Sequence, residues 1–225
     1  MQVLQSERLS RAGYIHGFSL RTDDPAALLC KALHLDGQSL YQANQVHGAR
    51  VLRAEGAQSD LRKTDADALV ALAAPAAVGV RVADCVPVLV GALDAPIATA
   101  IHAGWRGVVQ GVIAAALADA RAAGARRFVA AIGPCIGACC FEVGVDVAAQ
   151  IASVSHGQEI VARRAGDKAY VDLRRAVRAQ LAREGLADSD IEDVAGCTKC
   201  DAARFFSFRR DGANAGRHLG VIVAR

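Results

Sequence analysis

Two histidines and a cysteine are the residues of this chain best suited to chemistry. His102 opens the run His102-Ala103-Gly104-Trp105-Arg106-Gly107, Cys85 sits in Ala83-Asp84-Cys85-Val86-Pro87, and His47 sits in Gln45-Val46-His47-Gly48. Two imidazoles and a thiol make a donor set that zinc accepts, and a catalytic zinc keeps three protein ligands and one open position. The same set also suits copper. Without a metal, Cys85 and His102 would read as nucleophile and base. No Cys-x-x-Cys spacing ties the three together, so on spacing alone three unrelated polar residues at strand ends, with Cys85 merely buried, is the better reading. The surroundings of His102 point to an anion as well. Glycines such as Gly104 let backbone amides approach a ligand, and Arg106 at a helix start adds charge where amides already favour an anion.

Other segments offer weaker candidates. Gly133-Pro134-Cys135-Ile136-Gly137 is a glycine-bounded turn after a strand, and Gly133 and Cys135 could line a ligand site with their amides. Phe205-Phe206-Ser207-Phe208-Arg209-Arg210 combines rings with arginines. Alone it reads as an edge strand; functionally it is a base-stacking wall in which Arg210 clamps a phosphate or carboxylate. Cys197-Thr198-Lys199-Cys200 is a Cys-x-x-Cys, and Cys139-Cys140 is a poor partner pair for it, because adjacent cysteines rarely both chelate one ion. Reduced thiols near a pocket wall are expected there. The seven cysteines are odd in number, and with no export signal a disulfide framework is not expected.

These residues need elements to position them. Asp24-Pro25 starts a helix that Ala26 to Leu33 continues, a capping acid followed by proline at the first helical position. Strands are expected at Tyr14–Ser19, Leu40–Gln45, Ala49–Arg53, Ala68–Leu72, Val78–Val82, Val86–Leu89 and Ile97–Ile101. Helices are expected over Val108–Ala123, stopped by Gly124, and over Phe141–Val154. A third helix opens at Tyr170-Val171-Asp172, with Leu173, Val177 and Leu181 at four-residue spacing. Arg127–Ile132, Ile191–Val194 and His218–Val223 read as strands. The elements are interspersed without regular alternation, which predicts an α/β fold with a mixed sheet and flanking helices, in one domain over residues 1–225.

Composition narrows the function classes. At 53% hydrophobic, the 225 residues can bury a sizeable core; the net charge of +3 is small, and the arginines are scattered along the chain as a compositional bias and not as a nucleic-acid-binding stripe. Only four lysines occur and aromatics are 4%, so stacking platforms for single strands are scarce. The longest apolar run, Ala68 to Val80, is too short to span a bilayer. No nucleic acid and no membrane partner is expected, and the location expected is cytoplasmic.

Taken in order, Gln45-Val46-His47-Gly48, Asp65-Ala66-Asp67-Ala68-Leu69-Val70, Ala83-Asp84-Cys85-Val86-Pro87 and His102-Ala103-Gly104-Trp105-Arg106-Gly107 form a recognisable set. Gly133-Pro134-Cys135-Ile136-Gly137, Cys139-Cys140-Phe141-Glu142-Val143-Gly144 and the stretch from Cys197 to Arg217 extend it. The chain resembles the YfiH-type family, also called laccase-domain or multicopper polyphenol oxidase-like proteins and described as purine nucleoside phosphorylases. The resemblance implies a layered α/β sandwich with zinc on His47, Cys85 and His102. It implies phosphorolysis of adenosine, inosine, guanosine and methylthioadenosine, deamination of adenosine, and a role in peptidoglycan precursor editing. The small-molecule partners would be nucleosides and phosphate. Family members usually carry a longer glycine-rich insert where Leu20-Arg21-Thr22 stands here. Six histidines and a single methionine, Met1, are too few for the clusters of a full laccase, which leaves copper as an alternative occupant of the three-residue site. A metal-free cysteine hydrolase on Cys85 and His102 is the other alternative.

Overall fold

The structure, a computed structural model, describes residues 3–35, 40–55 and 57–225. Its centre is a pair of facing sheets. The larger runs in the order Ile191–Asp193, Phe128–Ile132, Val86–Ala92, Ala98–Ala103, Ala68–Ala71, Val51–Arg53. Its two outermost strands pair parallel and the inner pairings are antiparallel. The second runs Val3–Leu4, His16–Ser19, His218–Val223, Ala77–Val82, Leu40–Tyr41. Strand alternation explains the packing, since successive side chains point to opposite faces. Leu89, Ala98 and Ala100 face the second sheet, where they meet Phe18, Val78, Val80 and Ile222. Val86, Val88, Val90 and Ile101 face the other way.

That outer face is covered by the helix Val112–Ala122, whose buried residues Val112, Ile113, Ala116, Leu117 and Ala120 recur at helical spacing. Full burial of Ile113 and Leu117 contributes about 1.5–3 kcal/mol each. The helices Val145–Ser153 and Leu173–Arg183 pack into the same core through Ile151, Val177 and Leu181. On the far side of the second sheet, Leu29 of the helix Pro25–Ala32 packs on Leu219 and Val221. The result is helix, sheet, sheet, helix, the mixed α/β sandwich expected.

The differences from the sequence reading have local causes. The expected helix Val108–Ala123 is two helices, Trp105–Val109 and Val112–Ala122, broken at Gly111 with φ +82°. The helix expected from Phe141 begins only at Val145, because Glu142–Gly144 pairs antiparallel with Lys168–Val171 as part of a small third sheet. Pairing with Glu142–Gly144 on one side and Val161–Ala165 on the other makes Tyr170 and Val171 strand residues. Asp172 is the true helix cap, accepting from the Arg175 amide at 2.9 Å. The aromatic segment is not an edge strand. Ser207 caps a short helix, Phe208–Asp211. The strand expected over Leu40–Gln45 is confined to Leu40–Tyr41.

Candidate functional site

Sheet register brings the three chemical residues together. Ala103 and His102 stand opposite Val86 and Pro87, so Cys85, one residue before that strand, lies beside His102. On the other side Ile101 stands opposite Ala68. Asp67 is thereby beside His102, whose amide donates to the Asp67 carbonyl at 2.7 Å. The segment carrying His47 folds over this corner. Its His47 and Gly48 amides donate to the Asp67 carboxylate at 2.9 and 2.7 Å.

The ligating atoms of His47, Cys85 and His102 lie within 4.8 Å of one another. Cys85 Sγ is 3.8 Å from His47 Nε2, and the two imidazoles meet edge to face with centroids 4.8 Å apart. Asp67 Oδ1 is 2.7 Å from His102 Nδ1, which leaves Nε2 as the nitrogen turned toward Cys85. A histidine ligand held from behind by a carboxylate is fixed in tautomer and orientation. Asp67 stood in a recognised motif without a role; its place directly before an apolar strand gave no sign that it braces two of the three residues.

Backbone geometry sharpens the corner. His47 and Asp84 adopt left-handed conformations, φ +62° and +89°. Such conformations in residues other than glycine are costly and collect at functional sites. Gly104 touches the cluster from behind. A Cβ there would stand 2.8 Å from His47 Cδ2 and 3.3 Å from Cys85 Sγ. Its missing side chain makes room for three groups to converge.

The three side chains set one another's protonation. Burial alone would raise the Cys85 thiol, but the hydrogen bonds and charge of His102 and His47 bring it down to about 6. Burial would lower His102, but Asp67 and Cys85 on its two nitrogens carry it up to about 9. Asp67 is held below the usual carboxylate range by His102 and the Gly48 and His47 amides, against the effect of its burial. Two nitrogens and one thiolate-forming sulfur, converging and braced by a carboxylate, fit the donor set of zinc.

The cluster forms part of the wall of a cavity of about 440 Å³, within the range of small-molecule sites, about 300–1,000 Å³. Phe141 and Phe208 supply rings, and Arg81, Arg209 and Arg217 supply charge. Among the described residues none of these three arginines has a carboxylate partner in an ion pair. Arg81 is held below its ordinary range by burial and by the like charges of Arg62 and Arg217. Asp84 ties the wall together, accepting from Thr198 Oγ1 at 2.6 Å, Ser207 Oγ at 3.1 Å and the Arg209 amide at 2.6 Å.

Arg106, Gly133, Cys135 and Arg210 lie off this wall. Arg106 is exposed and stacks over Trp105, 4.6 Å from its centroid. Gly133 is packed under Phe18 and Pro87. Cys135 is buried, its thiol pushed up to about 11 by that burial, and accepts from Arg174. Arg210 spends its guanidinium on Asp211 and on the carbonyls of Thr198, Lys199 and Phe205. Its neighbour Arg209 lines the cavity instead, because the segment is a helical turn and adjacent side chains diverge. Of the aromatic run, Phe205 is buried and Phe206 packs on His218; Phe208 lines the cavity. No helix among the described residues is long and apolar enough to cross a membrane.

Residues 21–225 match the family described as multi-copper polyphenol oxidoreductase laccase. An adenosine deaminase, RL5, from an unknown prokaryotic organism is 35% identical over 223 residues, covering 94% of this chain and 85% of that one. A purine nucleoside phosphorylase of Streptomyces coelicolor is 35% identical over 208 residues, covering 89% and 84%. The crystal structure of YlmD from Geobacillus stearothermophilus superposes with a TM-score of 0.84 at 26% identity, over 100% of this chain and 97% of that one.

Proposed function

The chain belongs to the multi-copper polyphenol oxidoreductase laccase family, and from that premise we propose that it is a zinc-dependent purine nucleoside phosphorylase that also deaminates adenosine. The observation that carries the reading is the convergence of His47, Cys85 and His102 on the wall of a cavity whose arginines, Arg81, Arg209 and Arg217, have no carboxylate ion-pair partner among the described residues. Relatives named for both reactions support it. His47, Cys85 and His102 would hold the ion, and a zinc bound there supplies Lewis acidity and a nucleophile at neutral pH.

The remaining work falls to the protein's own groups. Phe208 and Phe141 give the purine flat apolar surfaces. Phosphorolysis brings phosphate to the sugar while positive charge develops at C1′, so a cationic cradle must hold the anion in place. Arg209 and Arg217 are placed for this, and Arg81 adds to the field that draws anions to the mouth. Asp84 keeps the Arg209 backbone fixed through its amide. Asp67 holds the Nδ1 proton of His102 and so keeps the other nitrogen directed at Cys85.

Arg209→Ala separates the reactions. KM for phosphate in inosine cleavage should rise about tenfold or more, the scale of one lost charge-assisted hydrogen bond of roughly 1.5–3 kcal/mol, while adenosine deamination, which uses water, keeps its rate. Arg106→Ala should leave both reactions near wild type. Steady-state assays of both reactions, with bound metal measured on the same preparations, test this. A loss confined to Arg106→Ala would return the phosphate role to the helix start after His102.

A second reading rests on the Cys85–His102 pair, whose shifts favour a thiolate beside an imidazolium, as in a metal-free cysteine hydrolase. Chelation decides between them: metal removal abolishes phosphorolysis in the first reading and leaves turnover intact in the second.

A further inference from the structure

A second group of sulfur atoms lies outside the cavity. Cys139 and Cys140 follow the strand Phe128–Ile132, and Cys197 and Cys200 follow the strand Ile191–Asp193. These strands are parallel neighbours, so the two loops leave the sheet side by side. They are cross-linked by the Cys135 amide to the Gly196 carbonyl at 3.4 Å and the Thr198 amide to the Cys135 carbonyl at 3.1 Å. All four sulfurs fall within 4.8 Å of one another. Cys139 Sγ is 3.6 Å from both Cys197 Sγ and Cys200 Sγ, and Cys140 Sγ is 3.3 Å from Cys200 Sγ. All four are free thiols. Four sulfurs at about 2.3 Å from a tetrahedral zinc stand roughly 3.8 Å apart, close to what is found. The backbone also favours an anionic sulfur, since the Gly137 amide donates to Cys197 Sγ at 3.3 Å. Gly137 leaves the space the sulfurs occupy. A Cβ there would stand 3.3 Å from Cys139 Sγ and 3.4 Å from Cys197 Sγ.

We propose that Cys139, Cys140, Cys197 and Cys200 form a four-thiolate site for zinc, closed and structural, that fixes the loop walling the cavity. The sequence weighed against the adjacent pair; the fold turns both of their sulfurs onto Cys200. Soft thiolates select thiophilic ions, and four of them in a tetrahedral set mark zinc or iron. Four protein ligands leave no open position, so the site does not act on substrate. Its effect passes through Thr198, which lies between Cys197 and Cys200 and donates to Asp84 beside Cys85. The ion would hold that hydrogen bond, and with it the approach of Arg209, in register with the active corner.

The full chain, purified under reducing conditions and loaded with zinc, tests this without any substitution. Cys139, Cys140, Cys197 and Cys200 should resist alkylation and become reactive once a chelator is added, as read by mass spectrometry of peptides. A Cys85→Ser chain, in which the other cluster is broken, should still bind one cobalt with the intense sulfur-to-metal absorption of a four-thiolate site. Cys197→Ser/Cys200→Ser should lower the metal content of the unaltered chain by one ion. Equal alkylation with and without zinc overturns the proposal. So does a Cys85→Ser chain that binds cobalt without thiolate bands, or native disulfides among the four. The alkylation result stands even if the double variant fails to fold.

Discussion

The two clusters use related atoms for opposite ends. His47, Cys85 and His102 come from three separated segments, include two nitrogens, and border a cavity. The four cysteines come from two loops, are all sulfur, and close on themselves. The first is braced by a carboxylate, Asp67, and the second by an amide donor, Gly137. A carboxylate behind a histidine tunes how strongly that nitrogen donates, which matters where chemistry occurs. An amide on a sulfur stabilises its charge and asks nothing further. The difference teaches that donor number and an adjoining cavity, more than donor type, separate a reactive site from a fastening.

Cys85→Ser is the largest blow to one side alone. Both nucleoside reactions should fall on the order of 10²–10³-fold or more, the scale of losing one group from a reacting centre, while the four-cysteine cluster keeps its ion. Paired assays and metal analysis on one preparation read this. Loss of both ions together would mean that the clusters are one unit. Asp67→Asn comes next. It should weaken zinc at the first cluster by about 10–100-fold, the usual cost of removing a partner behind a ligand. Chelator competition measures it, and an unchanged affinity would reduce Asp67 to a support of the loop.

Gly104 and Gly137 offer a matched pair. An alanine at either crowds the cluster in front of it, an overpacking that costs about 1–3 kcal/mol. Gly104→Ala should therefore weaken the first ion and Gly137→Ala the second, each sparing the other, as isothermal titration of the two variants would show. The smallest effect concerns pH. His102 is raised, whereas the buried His218 is lowered, chiefly by desolvation, and its Nε2 accepts the Phe206 amide at 2.7 Å. With its folded pKa below the unfolded value of about 6.5, the unfolded chain binds the extra proton, so stability drops as pH falls below that value. Thermal melts between pH 5 and 7 should show this acid slope, flattened in His218→Gln.

Much of the architecture was legible because alternation and capping act locally. The strand His218–Val223 and the Asp24 cap were both predicted and observed. The segment after Cys140 misled because its apolar residues suit a helix, and only pairing with Lys168–Val171 makes Glu142–Gly144 a strand. At the site, motifs located His47, Cys85 and His102, and the fold brings them into contact. Asp67 and Arg217 were quoted but given no role, and Arg81 carried no local signal, since register and loop packing bring it to the cavity. The cysteine cluster was discounted because its first half is an adjacent pair. What joins Cys139–Cys140 to Cys197–Cys200 is a parallel strand pair that spacing does not reveal.

The position of one strand has a consequence for how the molecule is made. His218–Val223, the latest strand among the described residues, lies between His16–Ser19 and Ala77–Val82 and pairs with both. Until it pairs, each of those two strands lacks its partner on that edge. Contacts this distant in sequence form slowly, and open edges invite pairing with other chains. His218 also receives the Phe206 amide, so this strand adds one anchor to the turn leading to Phe208 and Arg209, beside those that Asp84 provides. One end of the cavity wall is therefore tied to a slow class of contact, the pairing of strands far apart in sequence.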